Sequence, residues 1–308
     1  MKATALSLPP AVSGERQTIA SAAGAVSYYR WVGGNAGHAA GAVPLLLVHS
    51  INAAGSAYEV KPVYDHYRQR RPVYALDLPG FGFSERSDRV YTPRLMTDAI
   101  HAIVDTIRQA HNDKPIDALA LSLSCEFLAR AIAEQPGKFR SAALISPTGF
   151  DKKAPYREPA GTTRAMPWLY RFLRFPLWSR ALFRALTTRP SIRYFLERTW
   201  GSKAIDEGLL QYDYRTTHQS GARFAPFYFV SGYLFSRDIT SVYEQLRLPV
   251  WLAHGERGDF QDYSHAAAFE KQPNWRVTKL ATGALPFFEV PEEFWEEYDS
   301  FLSGISSK

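Results

Sequence analysis

The sequence predicts an α/β fold with a mostly parallel, eight-stranded sheet flanked by helices and a helical cap insertion. Three observations predict it. Short apolar runs alternate with stretches of helical periodicity, the mark of parallel strands covered on both faces. Residues 150–240 then replace that alternation with a helix-like stretch broken by six prolines, 155, 159, 167, 176, 190 and 226, which reads as several short helices laid over the domain. The strand pattern resumes at residue 249.

Taken in order, residues 18–31 read as two short strands around Ala23-Gly24, an antiparallel hairpin at the sheet edge. Apolar strands follow at 43–48 (VPLLLV), 72–76 (PVYAL), 116–121 (IDALAL) and 141–145 (SAALI). The last two lie at 249–253 (PVWLA) and 275–280 (WRVTKL). A helix over 125–135 follows the strand 116–121. The helix over 291–302 opens with a proline and two glutamates, as helix N-termini prefer. The organisation is a core of residues 1–149 and 241–308 interrupted by a cap of residues 150–240, without internal repeats.

Composition narrows the class. A chain of 308 residues that is 46% hydrophobic, 14% aromatic and 21% charged is not disordered or collagen-like, and is long enough for a sizeable core. The single cysteine, Cys125, excludes an internal disulfide and a CxxC metal site. The first sixteen residues form neither a convincing signal peptide nor a membrane span, so a cytoplasmic location is expected. Net charge is +6, yet residues 151–203 hold twelve Lys or Arg against three Asp or Glu, a local +9 that leaves −3 for the remainder.

The junction Ala120-Leu121-Ser122-Leu123-Ser124 carries the chemistry. It matches the nucleophile elbow G-x-S-x-G, in which small flanking residues let a serine stand on a strained strand-to-helix turn. Ala120 and Ser124 replace both glycines but keep the small size that close packing requires.

Residues 43–149 and 248–302 resemble the α/β-hydrolase superfamily, in particular its capped esterase, haloperoxidase and epoxide-hydrolase branch. The segment Asp77-Leu-Pro-Gly-Phe-Gly-Phe-Ser84 is similar to that branch's structural D-x-x-G-x-G-x-S loop, and His49-Ser50-Ile51 sits where the family has H-G-x. The resemblance implies Ser122 as nucleophile and the backbone N–H groups of Ile51 and Leu123 as an oxyanion hole. It implies a triad acid in the loop after residues 249–253, at Asp259 with Asp262 as fallback. A serine at the nucleophile position favours acyl transfer over the aspartate-based epoxide-hydrolase and dehalogenase reactions. Contacts to substrate are expected from Ser50, Asn52, Trp168, His218 and Leu285, and no cofactor or metal is implied.

The triad histidine is missing. Where the family reads G-H-x-P-x-x-E-x-P, this chain reads Gly283-Ala284-Leu285-Pro286-Phe287-Phe288-Glu289-Val290-Pro291. An alanine methyl neither accepts the serine proton nor returns it to a leaving group. Three readings stand: an introduced inactivating substitution, a natural divergence in which His218, His265 or the substrate supplies the base, or a member that binds ligands or performs a lyase or rearrangement step without serine activation.

Other residues have structural readings. His49 is expected to brace the oxyanion loop, His254 to pack at a strand end, and Glu126 to complement the helix dipole after Ser122. In the cap, aromatic residues from Trp168 to Trp200 interleave with seven arginines. Either the aromatics line an apolar pocket with the arginines in water, or the face rests on anionic lipid and admits a hydrophobic, lipid-like substrate. Nucleic acid is not an expected partner, since no recognition motif accompanies the basic residues.

Overall fold

The computed structural model describes residues 6–31, 42–259 and 262–306. Eight strands form one sheet: β1 (Glu15–Ser21), β2 (Gly24–Arg30), β3 (Leu45–Val48), β4 (Val73–Leu76), β5 (Ile116–Leu121), β6 (Phe139–Ile145), β7 (Val250–His254) and β8 (Trp275–Lys279). Their spatial order is β1-β2-β4-β3-β5-β6-β7-β8. β1 and β2 form an antiparallel hairpin, β2 meets β4 antiparallel, and every later pairing is parallel. Strands β3, β4, β5 and β7 are buried at every residue, which explains why they read as continuous apolar runs.

Strand order reverses around β3, which pairs with β4 on one side and β5 on the other. In open parallel sheets the crevice at such a reversal, beyond the carboxyl ends of the strands, is where ligands bind. Here those ends deliver residues 49–52 and Ser122.

Boundaries shift where local chemistry requires. β3 begins at Leu45, after Pro44, which has no N–H to give the ladder; its carbonyl instead accepts from Asp117 N–H at 2.9 Å. β6 begins at Phe139, two residues before the apolar run.

Core helices are α1 (Lys61–Tyr67), α2 (Pro93–Ala110) and α3 (Ser124–Glu134). The Thr92 hydroxyl caps α2 by accepting from Leu95 N–H at 3.1 Å. Five helices follow β6: α4 (Pro167–Arg174), α5 (Ser179–Leu186), α6 (Arg189–Trp200), α7 (Glu207–Thr217) and α8 (Phe224–Val230). α9 (Ile239–Glu244), at the edge of the expected cap, buries Ile239, Val242 and Tyr243 in the main core cluster. α10 (Ala266–Glu270), α11 (Pro286–Glu289) and α12 (Pro291–Ser306) complete the core. The last runs four residues beyond the sequence expectation.

The sheet separates two apolar layers. One, centred on α2, α3 and α9, contains Phe127, Phe150 and Tyr243; the other, centred on α1 and α12, contains Tyr64, Trp251, Phe294 and Tyr298. Among the described residues no helix is long and apolar enough to cross a membrane.

Candidate active site

Ser122 occupies the turn between β5 and α3 with φ +50°, in the left-handed region. For a non-glycine residue this conformation costs about 1–2 kcal/mol. Its N–H donates to Ile145 O at 2.8 Å and its carbonyl accepts from Cys125 N–H at 3.1 Å, so the bend is fixed on both sides. Ser124 lies fully buried beneath it and donates its hydroxyl to His49 O at 2.5 Å, joining elbow to oxyanion loop. The Ser122 hydroxyl itself has no protein partner among the described residues.

A cavity of about 150 Å³ opens above it, lined by Ser50, Ile51, Asn52, Glu59, Leu121, Ser122, Leu123, Ser146, Thr148, Leu196, Thr199, Leu209, Phe229, Phe235, Ala284 and Leu285. Both expected oxyanion donors are in this wall. Their N–H groups have no protein acceptor among the described residues.

The loop carrying Ile51 is held from below. His49 is fully buried; its Nε2 accepts from Leu78 N–H at 3.0 Å and its Nδ1 lies 2.6 Å from Ser50 O, to which it donates. Burial holds its pKa down at about 4, so the ring is neutral. Glu59, also buried, accepts from Ser50 N–H at 2.7 Å, Ser50 hydroxyl at 3.1 Å and Asn52 Nδ2 at 2.6 Å. Burial raises the Glu59 pKa while these donors oppose it. Behind it, the α7 carboxyl of Asp213 is buried with Oδ1 unpartnered; burial, then the charges of Glu59 and Asp206, push its pKa well above the carboxylate range.

The segment 77–84 is a support for this loop. Asp77 accepts from Ala57 N–H and Phe83 N–H, each at 2.9 Å, and Ser84 donates to Asp77 O at 2.5 Å. Gly82, at φ +48°, passes so close that a Cβ there would lie 2.0 Å from the Asp77 carboxyl.

Residue 284 lines the same cavity as Ser122, and its backbone joins the end of α6 to the end of β6. Ala284 N–H donates to Thr199 O at 3.0 Å, Ala284 O accepts from the Ser146 hydroxyl at 2.8 Å, and Gly283 N–H donates to Glu289 Oε1 at 2.7 Å. Neighbouring turns close onto the same end of α6. A Cβ on Gly283 would meet Trp200 backbone at 2.5 Å, and one on Gly258 would meet Arg198 O at 2.6 Å.

Asp259 hangs from that seam. Its N–H donates to Arg198 O at 3.1 Å and its carboxylate pairs with Arg198 Nε. It lines a second, more polar cavity of about 290 Å³ that also contains Ser122, Ser146, Asp151, Arg164, Asp262 and Tyr263. Asp262 accepts there from Lys152 N–H at 2.9 Å.

Three expectations need correction. Trp168 is not at the cavity but on the outer side of α4, 68% exposed, because Leu173 supplies the inward face of that short helix. His218 lies in a separate surface recess with Arg180 and Arg184; its Nδ1 is 2.7 Å from Tyr214 O and its ring packs on Tyr214 at 4.2 Å. His265 contacts Asp151 O through Nδ1 at 3.0 Å and lines neither cavity. Among the described residues no histidine lines the Ser122 cavity. His254 packs as expected, stacked on Tyr263 at 4.0 Å.

Sequence reasoning passed over Glu59, Ser146 and the role of Glu126. Glu59 was detectable only as a lone acid in the apolar run Ala57-Tyr58-Glu59-Val60. Ser146 directly follows β6 at φ +48°, a second left-handed serine at a strand end. Glu126 is fully buried and accepts from the Thr148 hydroxyl at 2.5 Å and Ser236 N–H at 2.9 Å, tying the elbow helix to the segment between α8 and α9; burial raises its pKa to about 7.

This arrangement, a strand-to-helix serine beneath helices inserted after β6, is that of an α/β hydrolase. The chain belongs to the Alpha/beta hydrolase family, whose model matches residues 45–297. Among solved structures it is similar to a serine hydrolase involved in carbazole degradation (14% identity, TM-score 0.68, covering 94% of this chain and 99% of that one). It is also similar to a membrane phospholipase A described as a bacterial virulence factor (18%, 0.69, 96% and 87%) and to the Cif epoxide hydrolase of Acinetobacter nosocomialis (16%, 0.65, 94% and 88%). At these identities the likeness is one of fold. No curated protein matches the sequence.

Proposed function

We propose that the chain is a serine hydrolase of the carboxylic-ester type acting on an apolar acyl substrate. The observation that carries this reading is the Ser122 hydroxyl, on a left-handed turn and without a partner among the described residues, sharing one cavity with the N–H groups of Ile51 and Leu123, which likewise have no acceptor among those residues. Two fixed donors stabilise the oxyanion of a tetrahedral intermediate, each contributing about 2.7–4 kcal/mol. The void of about 150 Å³ has room for a group the size of benzene, and the adjoining cavity of about 290 Å³ also reaches Ser122. Leu121, Leu196, Leu209, Phe229, Phe235 and Leu285 give it apolar walls.

Ser122 Oγ attacks the acyl carbon, the C–O bond to the leaving group breaks, and an acyl-serine and an alcohol result; water then releases the acid. With alanine at 284 and no imidazole in the wall, the serine proton passes to a basic group on the substrate or to water. Glu59 is spoken for by Ser50 and Asn52 and acts as a positioning residue for the oxyanion loop. The chemistry therefore suits activated or self-assisting acyl donors.

The same missing imidazole favours a second reading, in which the cavity binds a carbonyl ligand without covalent chemistry. A fluorophosphonate probe followed by peptide mass spectrometry separates the two. The hydrolase reading expects an adduct on Ser122 that is lost in Ser122→Ala. Unlabelled Ser122, even in an Ala284→His variant, would overturn it.

A further inference from the structure

The outer surface of the cap concentrates the exposed apolar side chains of this molecule. Among the described residues, nine of the twelve large apolar residues that stand in solvent lie between 166 and 195, against two before residue 150. They cluster on α4, the α4–α5 turn and α6. Leu177, at the tip of that turn, is 83% exposed, and Trp168 and Phe172 project from one side of α4 at helical spacing. Trp178 donates its indole N–H to Phe172 O at 2.8 Å, so its polar atom is already satisfied and the ring offers only apolar surface. Phe172 and Phe175 both pack on Trp178, at 5.3 and 4.4 Å between ring centres, so the exposed rings of α4 and its following turn form one apolar patch, the kind of surface that marks an interaction site.

Charge identifies the occupant. Arg171, Arg180 and Arg184 are exposed on the same helices and have no ion-pair partner among the described residues. Glu197 is the sole acid from 166 to 200. A second copy docking this patch on itself would set arginine against arginine, since a two-fold interface brings the same surface together. Anionic headgroups over an acyl interior satisfy both features at once: aromatic and aliphatic tips enter the acyl boundary while arginine stems lie along it with their heads at the phosphates.

We propose that this face of the cap docks on an anionic lipid bilayer, with the Phe175–Trp178 turn as the inserted tip. Docked this way, α6 stands between bilayer and catalytic cavity: Tyr194 and Phe195 face outward while Leu196 and Thr199 line the Ser122 void. The inference does not rest on the catalytic reading, because docking requires no reactive serine.

Co-sedimentation of the full chain with vesicles tests it, comparing phosphatidylcholine alone with a mixture of phosphatidylcholine and phosphatidylglycerol. Partition is expected onto the mixed vesicles, falling with added salt. Each of Arg171→Glu, Arg180→Glu and Arg184→Glu should weaken it by at least about fivefold, the worth of one basic residue near an anionic surface. Leu177→Asp should abolish insertion while leaving circular dichroism and thermal midpoint unchanged, because the side chain touches solvent. Equal partition on both vesicle types, or binding unaffected by Leu177→Asp, would overturn the proposal. So would sedimentation velocity showing a dimer that Leu177→Asp dissolves without any vesicle binding. Retained vesicle binding by Ser122→Ala would support docking whatever the labelling of Ser122 shows.

Discussion

Ser146 holds Ala284 in place: its hydroxyl donates at 2.8 Å to the Ala284 carbonyl, while the Ala284 N–H is bound to Thr199 O at 3.0 Å. Backbone is thus fixed on both sides of a side chain that bounds the Ser122 cavity. On the proposed serine-hydrolase reading, this is the position where a triad imidazole would stand.

Ala284→His should therefore restore a proton acceptor in a prepared position. General acid–base catalysis typically contributes 10²–10⁴-fold. A gain of about 10²-fold in kcat/KM for a p-nitrophenyl ester is expected, with a bell or sigmoid in the pH profile near the histidine range. Steady-state rates of the two proteins check it, and no gain would count against Ser122 as nucleophile.

Glu59 organises the oxyanion loop through three hydrogen bonds in a buried setting. Glu59→Gln keeps the shape but turns an amide donor toward Ser50 N–H, Ser50 Oγ or Asn52 Nδ2. The expected result is a kcat loss of about 10²-fold in the Ala284→His background, the scale of one oxyanion donor, with KM little changed. Glu59→Leu leaves the donors unsatisfied and should also lower the unfolding free energy by about 1–3 kcal/mol. A drop confined to KM would show that Glu59 acts on substrate binding instead.

Glu126 links pH to stability. Its folded pKa, raised by burial from 4.5 to about 7, means that the folded chain holds this proton more tightly than the unfolded chain. Stability from this group is therefore complete below about pH 4.5, declines as pH rises through that interval, and is level above about 7. Glu126→Gln cannot ionise and should flatten this part of the curve, while its amide oxygen can still accept from Ser236 N–H and its amide NH2 can donate to the Thr148 hydroxyl. Thermal midpoints of both proteins from pH 4 to 8 provide the check; parallel curves would remove Glu126 as the source.

Much of this architecture was readable because burial on both faces forces unbroken apolar strands, and because a sharp turn beside a helix demands small residues at 120 and 124. Residue 284, singled out by the family motif, lines the same cavity as Ser122. The cap was less legible for a physical reason. In the eight-residue helix α4 aromatic residues fall on both sides, Trp168 and Phe172 against Tyr170, so periodicity cannot say which side meets the pocket; Trp168 was expected inside and stands outside, while Leu196 and Thr199 of α6 take the wall. Glu59 gained its role only when the turn at 57–60 folded back beneath residues 50–52. Its meaning is tertiary, and no spacing rule encodes it.

The end of α6 has a mechanical consequence. The carbonyls of Arg198 and Thr199 hold the turns of Asp259 and Ala284, and Gly258 and Gly283 approach that helix too closely to admit even a methyl group. Lifting this helix would drag both loops out of register with Ser122, so the roof is welded on that side. Any passage into the Ser122 cavity would therefore have to open at some other part of the roof, and whatever loosens this weld shifts residues 259 and 284 in the same motion.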